Sequence, residues 1–196
     1  MSNGKPKIRN IKKDYAGTQL PPTQHGKAGV GFENILKADG FKIDSLASGP
    51  DIPEYNLEVK TRNISATSAH TIGCINPNDI KLLSWEETTL HDKFQQQFRA
   101  ITDESNYQQN TIVKCKVYDF SEISIQTLVK EAYEICRGKI MQGNTKQYIY
   151  GSKWGYMERK QDSNSYQFRI SHSAFKKLEA MAESSEAFIT MFEYKG

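Results

Sequence analysis

The spacing of apolar residues predicts helices along the chain. Apolar residues recur at helical spacing between about Lys27 and Ala38, and Gly40 follows as a stop signal. Further helices are predicted over Thr88–Ile101, from a Ser121 cap to about Arg137 before Gly138, and from a Ser171 or Ser173 cap to about Ala182.

Alternation of apolar and polar residues predicts strands between these helices. The predicted strands are Leu57–Thr61, Thr111–Phe120, Gln147–Gly151, Gly155–Arg159, Tyr166–Ile170 and Phe188–Tyr194. Helices and strands in this order predict an α/β fold. We expect a mixed central β-sheet flanked by helices on both faces, with the Leu57–Thr61 strand near its centre.

Length and charge indicate how the chain is divided into a domain and an arm. The 196 residues suit one domain, predicted over residues 21–196, after a basic arm over residues 1–20 that either follows a phosphate backbone or is a flexible tail. No apolar run is long enough to cross a membrane, and the N-terminus lacks the apolar centre of a signal peptide, which predicts a cytoplasmic protein with no membrane partner. The 3 cysteines are widely spaced, so we expect reduced, buried thiols.

Asp51, Glu58 and Lys60 are the candidate catalytic residues. Side chains alternate along a strand, so Glu58 and Lys60 share a face of Leu57–Thr61, and a short turn would bring Asp51 beside Glu58. Neighbouring carboxylates repel each other unless a cation lies between them, and their oxygen atoms suit Mg²⁺. Such a metal activates water and stabilises phosphoryl charge, while Lys60 would orient the water or neutralise the phosphate. The alternative is an ordinary ion pair on a solvated strand.

These residues resemble the PD-(D/E)xK motif of the restriction-endonuclease-like superfamily. The letters PD at residues 50–51 and EVK at 58–60 carry the likeness, and HGKAGVGFE at 25–33 resembles the opening pattern K-G-x-x-G-x-x-x-E of MutH-type nicking endonucleases and their GATC-reading restriction relatives. The resemblance implies that Glu33 supports the metal site of Asp51 and Glu58. The letters WE at 85–86 and HDKF at 91–94 are similar to the family's W-E…H-K-L segment, which implies that Lys93 belongs to the active site.

DNA contacts are expected from several segments. The letters SYQFR at 165–169 resemble the family's Y-L-Q-I-R strand, which implies that Arg169 reads bases. His25 and Lys27 lie in the opening pattern, and the polar residues Ser68 and His70 follow the predicted catalytic strand, where phosphate contact or a turn cap are both open.

An aromatic stretch leaves two interpretations open. Aromatic and basic residues alternate over residues 146–166, and such a mixture binds nucleic acids by stacking and charge. The other interpretation places most of the rings in the core of a sheet, and we favour it. Basic side chains of this stretch are then expected to contact DNA phosphates: Lys153, Arg159 and Lys160.

Together these features predict a Mg²⁺-dependent endonuclease acting on double-stranded DNA, in which Mn²⁺ is expected to substitute for Mg²⁺. A type II restriction enzyme that leaves 5′-phosphate ends is favoured, because the C-terminal extension of the mismatch-repair branch is not recognisable after Phe192. The alternatives are a MutH-like strand-nicking repair enzyme and a non-catalytic DNA-binding module. A homodimer and a mismatch-repair-type activator protein both remain open as partners.

Overall fold

The protein contains helices and strands in the order expected of an α/β fold. The computed structural model describes residues 15–20, 28–44, 49–103, 110–161 and 164–183. Its helices are α1 (Ala28–Ala38), α2 (Pro77–Leu82), α3 (Thr89–Gln95), α4 (Ile123–Met141) and α5 (His172–Glu183), with turns of 3₁₀ helix at Pro53–Tyr55 and Trp85–Glu87. Its strands are β1 (Glu58–Asn63), β2 (His70–Ile75), β3 (Gln96–Asp103), β4 (Thr111–Asp119), β5 (Tyr148–Ser152), β6 (Gly155–Arg159) and β7 (Tyr166–Ile170).

The chain divides into two compact units. Within the described ranges, the first unit holds residues 15–66 and 96–118, and the second holds residues 67–95 and 119–183. The first contains a sheet in the order β1-β3-β4, and the second contains a sheet in the order β2-β7-β6-β5. The expected α/β class is therefore confirmed, whereas the expectation of one central sheet is wrong for the strands that the structure describes.

In the first unit, α1 packs on one face of the sheet. Strand β1 runs parallel to β3, with Val59 opposite Phe98. The ring of Phe32 on α1 lies 5.3 Å from the ring of Phe98, and a Cβ on Gly29 would meet the Thr61 hydroxyl at 3.5 Å. Helix α1 therefore lies in ordinary van der Waals contact with the Thr61 side of β1.

Residues 15–20 belong to the core of the first unit. Tyr15 and Leu20 are buried, and backbone hydrogen bonds join this segment to the start of β4, including Gly17 N to Ile112 O at 2.7 Å. The end of the predicted basic arm is thus held by the sheet. Residues 1–14 lie outside the described ranges, as does the predicted strand Phe188–Tyr194.

In the second unit, the four-stranded sheet packs one face against helices. Its strands are antiparallel where they pair, and α4 packs on β5 and β6 beside buried apolar side chains such as Ile149, Met157 and Phe168. Trp85 lies in this core, with ring centroids of Phe94, Tyr133 and Phe168 within 6.2 Å of its own.

Most predicted strands are confirmed, with Gly155–Arg159 and Tyr166–Ile170 at the predicted bounds. The predicted helix Thr88–Ile101 is wrong in its second half, because α3 ends at Gln95 and β3 begins at Gln96. Leu90, Phe94, Phe98 and Ile101 fit a helical period. Both faces of β3 are buried, so its polar and apolar residues do not reveal the strand.

The position of β1 also differs from the expectation. It was predicted near the centre of a sheet, but β3 holds the central place in the described order and β1 holds one end. Strand β2 was not predicted at all, because His70 and Thr71 were assigned to a loop. A register shift between Thr71 and Gly73 interrupts its alternation.

Gly138 does not end the helix that was predicted to stop there. Helix α4 continues to Met141, and Gly143, with φ of +87°, follows its end. The backbone N–H of Gly143 donates a hydrogen bond of 2.9 Å to the carbonyl oxygen of Ile140, which satisfies a carbonyl at the end of the helix. Among the described helices, none is long and apolar enough to cross a membrane.

Two glycines of the second unit are expected to respond oppositely to alanine. A Cβ on Gly138 would meet nothing within 4 Å, so Gly138→Ala should raise the free energy of unfolding by about 0.5–1 kcal/mol. A Cβ on Gly151 would lie 2.0 Å from the Ala132 carbonyl oxygen, so Gly151→Ala should lower it by about 1–3 kcal/mol or more. Denaturant titration of both variants measures the two changes, and effects of the same sign would contradict the packing of β5 on α4.

Candidate active site

A tight hairpin brings the predicted catalytic residues together. Ile52 and Leu57 exchange backbone hydrogen bonds of 2.9 and 3.2 Å across the 3₁₀ turn that Pro53 begins. Asn56 closes the turn in the left-handed region with φ of 52°. Asp51 and Glu58 flank this pair on either side, as the spacing of seven residues predicted.

Asp51 is held directly on the catalytic strand. Its Oδ2 accepts a hydrogen bond of 2.9 Å from the backbone N–H of Val59. The bond fixes the position of the carboxylate beside β1, between the levels of Glu58 and Lys60. The sequence predicted the proximity, but it did not identify the strand backbone as the anchor.

Glu58 and Lys60 form a close ion pair on one face of β1. The Lys60 Nζ donates to Glu58 Oε1 at 2.5 Å, which confirms the predicted shared face. The Glu58 side chain is 2% exposed and that of Lys60 is 27% exposed. A carboxylate so deeply buried requires a nearby cation, and Lys60 provides one.

The face that carries Glu58 and Lys60 continues onto β3. In the parallel register Glu58 lies opposite Gln97, and Lys60 lies opposite Arg99. Gln97 and Arg99 are both buried, and Arg99 Nη1 donates to Gln97 Oε1 at 2.7 Å. Arg62, two residues beyond Lys60, faces the same way and donates to Ala66 O at 2.9 Å. The sequence interpretation missed Gln97 and Arg99 because it assigned their segment to a helix.

The charges of this face suit a phosphodiester. The carboxylates of Asp51 and Glu58 are accompanied by three cations: Lys60, Arg62 and Arg99. A site of this composition offers hard oxygen ligands for a metal and excess positive charge for a phosphate.

The donor set fits a magnesium ion that keeps other ligands. Among the described residues, no group of three or more His, Cys, Asp or Glu side chains is placed to hold a metal. Mg²⁺ is commonly bound by one or two protein carboxylates, with water and substrate phosphate completing its shell. Asp51 and Glu58, which flank the paired residues Ile52 and Leu57 of the hairpin, provide two carboxylates of this kind.

The structure places Glu33 and Lys93 on different units. Glu33 lies on α1 of the first unit, half-buried, on the helix that packs against the Val59 and Thr61 side of the sheet. Lys93 lies on α3 of the second unit, where a Cβ on Gly73 would meet its Cδ at 3.5 Å. The roles that the resemblance implies for these two residues stay predictions.

Arg169 occupies β7 of the second unit with its guanidinium already engaged. It forms an ion pair with Glu158 on β6, and its Nη2 reaches Ala69 O at 3.5 Å. Its predicted contact with DNA bases stays a prediction, and in this structure Glu158 sets the direction of the guanidinium.

The other predicted DNA contacts differ in exposure. Ser68 is exposed in the loop before β2, but His70 is 4% exposed, and its ring stacks on Phe175 at 4.1 Å. His70 also contacts the ring nitrogen of His172 at 3.1 Å, so its burial argues against phosphate contact. His25 and Lys27 lie outside the described residues.

The predicted phosphate contacts near β5 and β6 are exposed cations. Arg159 and Lys160 line an open cavity of about 500 Å³ together with polar side chains such as Gln147 and Asn164. Lys153 lies over the ring of Trp154 at 5.2 Å. All three lysine and arginine side chains are accessible to an anion.

The interpretation of most of these aromatic rings as core is wrong. Tyr166 is buried, but Tyr148 is 41% and Tyr150 is 63% exposed. Trp154, in the turn between β5 and β6, and Tyr156 are half-buried. Tyr148, Tyr150 and Tyr156 belong to the sheet face opposite the buried one, because alternate residues of β5 and β6 point to opposite sides.

Cys136 is not suited to act as a nucleophile. It is buried in α4, and its Sγ donates to Ile149 O at 3.0 Å. Burial raises the pKa of the Cys136 thiol to about 12, which is the opposite of what a reactive thiolate requires. None of the three cysteines forms a disulfide, as expected, but the expectation that all are buried is wrong, because Cys115 is half-buried and Cys74 is exposed.

Comparison with known proteins provides no relative from which a function could be inferred. No protein-family model matches the chain, and no curated protein sequence matches it.

Proposed function

We propose that the protein is a Mg²⁺-dependent endonuclease of the PD-(D/E)xK type that cuts duplex DNA at a short site and leaves 5′-phosphate ends. The observation that carries the proposal is the hydrogen bond from Val59 N–H to Asp51, which holds that carboxylate against the strand bearing Glu58 and Lys60. The motif resemblance supplies the substrate class, and the geometry of the hairpin supports it.

Asp51 and Glu58 are the residues that would hold the metal. Bound there, Mg²⁺ would supply Lewis-acid stabilisation of phosphoryl charge and lower the pKa of a bound water. The hairpin would preorganise the metal site. It holds both carboxylates in place before any ligand binds, which reduces the entropy cost of assembling the site.

Lys60 would act on the phosphate and on the attacking water. Its Nζ carries positive charge beside Glu58 Oε1 and is still partly exposed, so it can donate to an anionic oxygen. Arg62 and Arg99 add charge of the same sign on this face, which favours a polyanionic substrate over a neutral one.

Supercoiled plasmid tests the proposal. The full chain is incubated with plasmid in millimolar Mg²⁺ or in EDTA, beside Asp51→Asn and the control Glu54→Gln. Glu54 is an exposed acid in the same hairpin, so both variants lose one negative charge. Asp51→Asn should lower the rate of cleavage at least about 100-fold, because several kcal/mol of metal-assisted stabilisation is lost.

The cleavage pattern distinguishes the roles within this class. Discrete Mg²⁺-dependent fragments that Asp51→Asn abolishes and Glu54→Gln keeps would support a restriction enzyme. Open circles that persist would indicate a nicking enzyme of the MutH-like kind. Plasmid that is bound but never cut, on methylated and unmethylated DNA alike, would contradict a self-sufficient restriction enzyme and leave either a nicking enzyme that needs a partner protein or a DNA-binding module.

A further inference from the structure

A second candidate site lies entirely within the second unit. A cavity of about 290 Å³ opens between the turn joining β5 to β6 and the start of α5. Its volume is near the lower end of pockets that take small ligands, which is roughly 300 Å³. Neither the carboxylates of the candidate active site nor Lys60 contributes to it.

Aromatic rings form part of its wall. Tyr150 and Tyr156 lie opposite each other on β5 and β6, with ring centroids 5.5 Å apart and planes at 37°. Trp154 lies in the turn, where its backbone N–H donates a hydrogen bond to Ser152 Oγ at 3.1 Å. Exposed rings on a sheet provide flat apolar surfaces that stack against planar ligands.

The remaining wall is cationic and rich in hydroxyls. Lys153 and Lys177 line the cavity, and no acidic side chain among the residues that the structure describes does so. Ser171 and Ser173 add hydroxyls that lie 3.4 Å apart. Two ammonium groups with neighbouring hydroxyls suit an anion that accepts several hydrogen bonds. A phosphate is the most common anion of this kind.

The two kinds of wall meet in one small space, so the ligand must combine a flat aromatic part with an anionic part. We propose that this cavity binds a nucleotide, with the base stacked against Tyr150 and Trp154 and the phosphate held by Lys153 and Lys177. The nucleotide can come from a free mononucleotide or from an unpaired position in a DNA strand, since both present the same chemistry. The proposal does not depend on the endonuclease activity.

Trp154 provides the readout. Its fluorescence in the full chain is followed in EDTA during titration with 5′-dAMP, single-stranded oligo(dA) and the oligo(dA)·oligo(dT) duplex. Adenosine tests the need for phosphate. Trp85 is buried and serves as a constant background. We expect saturable quenching by 5′-dAMP and oligo(dA), and weaker binding of adenosine.

Three variants assign the binding to the cavity. Tyr150→Ala should weaken binding about 5- to 100-fold, the range of one stacked base. Lys177→Gln should weaken it roughly 10-fold, because a charge-assisted hydrogen bond is lost. The control Lys146→Gln removes the same charge from an exposed residue outside this cavity, and should change affinity less than about twofold. Circular dichroism confirms that each variant is folded, and both Tyr150 and Lys177 are exposed.

The outcomes distinguish a free nucleotide from an unpaired position in a DNA strand, and they distinguish this site from the proposed endonuclease site. Equal affinity for 5′-dAMP and oligo(dA) supports a free nucleotide, and at least tenfold tighter binding of oligo(dA) supports an unpaired strand. No saturable quenching by either probe, or binding that Tyr150→Ala and Lys177→Gln both leave unchanged, overturns the proposal. Asp51→Asn should bind as the unmodified chain does, so a loss of cleavage would not imitate a loss of this site.

Discussion

Lys60→Met is expected to lower Mg²⁺-dependent cleavage about 100- to 1,000-fold in kcat, with a smaller change in KM. Methionine keeps the length of the side chain and removes the charge that lies 2.5 Å from Glu58 Oε1. If Lys60 stabilises charge that develops on the phosphate, its loss raises the barrier of the chemical step more than it weakens binding. Initial rates of plasmid cleavage over a range of DNA concentrations measure both constants.

A second variant separates this catalytic effect from folding. Glu58 is almost fully buried, so removing the neighbouring cation alone should also lower the free energy of unfolding. The double variant Glu58→Gln with Lys60→Met removes both charges and should recover much of that stability without recovering cleavage. Lys42→Met, which removes an exposed charge of the first unit, should change neither property. A Lys60→Met enzyme that retains kcat within about threefold would rule out the catalytic role.

The hairpin that carries the site was predictable because its determinants are local. Pro53 begins the 3₁₀ turn, Asn56 takes the left-handed conformation that asparagine tolerates, and the alternation from Leu57 onward defines the strand. The hydrogen bond from Val59 N–H to Asp51 spans only eight residues. The sequence therefore predicted that Glu58 and Lys60 share a face, and the structure shows that the strand backbone holds the Asp51 carboxylate.

The other half of the site depends on pairing between distant segments. Gln97 and Arg99 reach the face of Glu58 and Lys60 only because β3 pairs in parallel with β1. A strand buried on both faces lacks the alternation that would identify it, and its apolar residues also fit a helical period. Propensity cannot separate the two periods over so few residues, so the segment was assigned to the wrong element.

The division into two units could not be predicted from the sequence either, because the segments of each unit are not continuous in the chain. The motif resemblance implied an active-site role for Lys93, which lies on α3 of the second unit, and that role stays a prediction. The exposed tyrosines of β5 were assigned wrongly, since rings expected in the core lie on an open sheet face. Residue type was a weak guide to their burial, and only the tertiary contacts decided it.

Trp85→Ala is expected to lower the free energy of unfolding of the second unit by about 3–5 kcal/mol. The indole is 1% exposed and contacts the rings of Phe94, Tyr133 and Phe168, so truncation leaves a large cavity among them. Its Nε1–H also donates to Gln126 Oε1 at 3.0 Å, and the loss of that bond leaves the amide oxygen without this donor. Denaturant titration followed by circular dichroism measures the change.

Two further substitutions show which part of the indole matters. Trp85→Phe keeps most of the ring packing and loses the hydrogen bond to Gln126, so its cost should fall between those of the unmodified chain and Trp85→Ala. Trp154→Ala removes the same side chain from a half-buried turn and should cost less than about 1 kcal/mol. If Trp85 acts only through the core, cleavage by the folded fraction of Trp85→Phe should match that of the unmodified chain. A fully folded Trp85→Phe protein with lost cleavage would instead place Trp85 in the functional machinery.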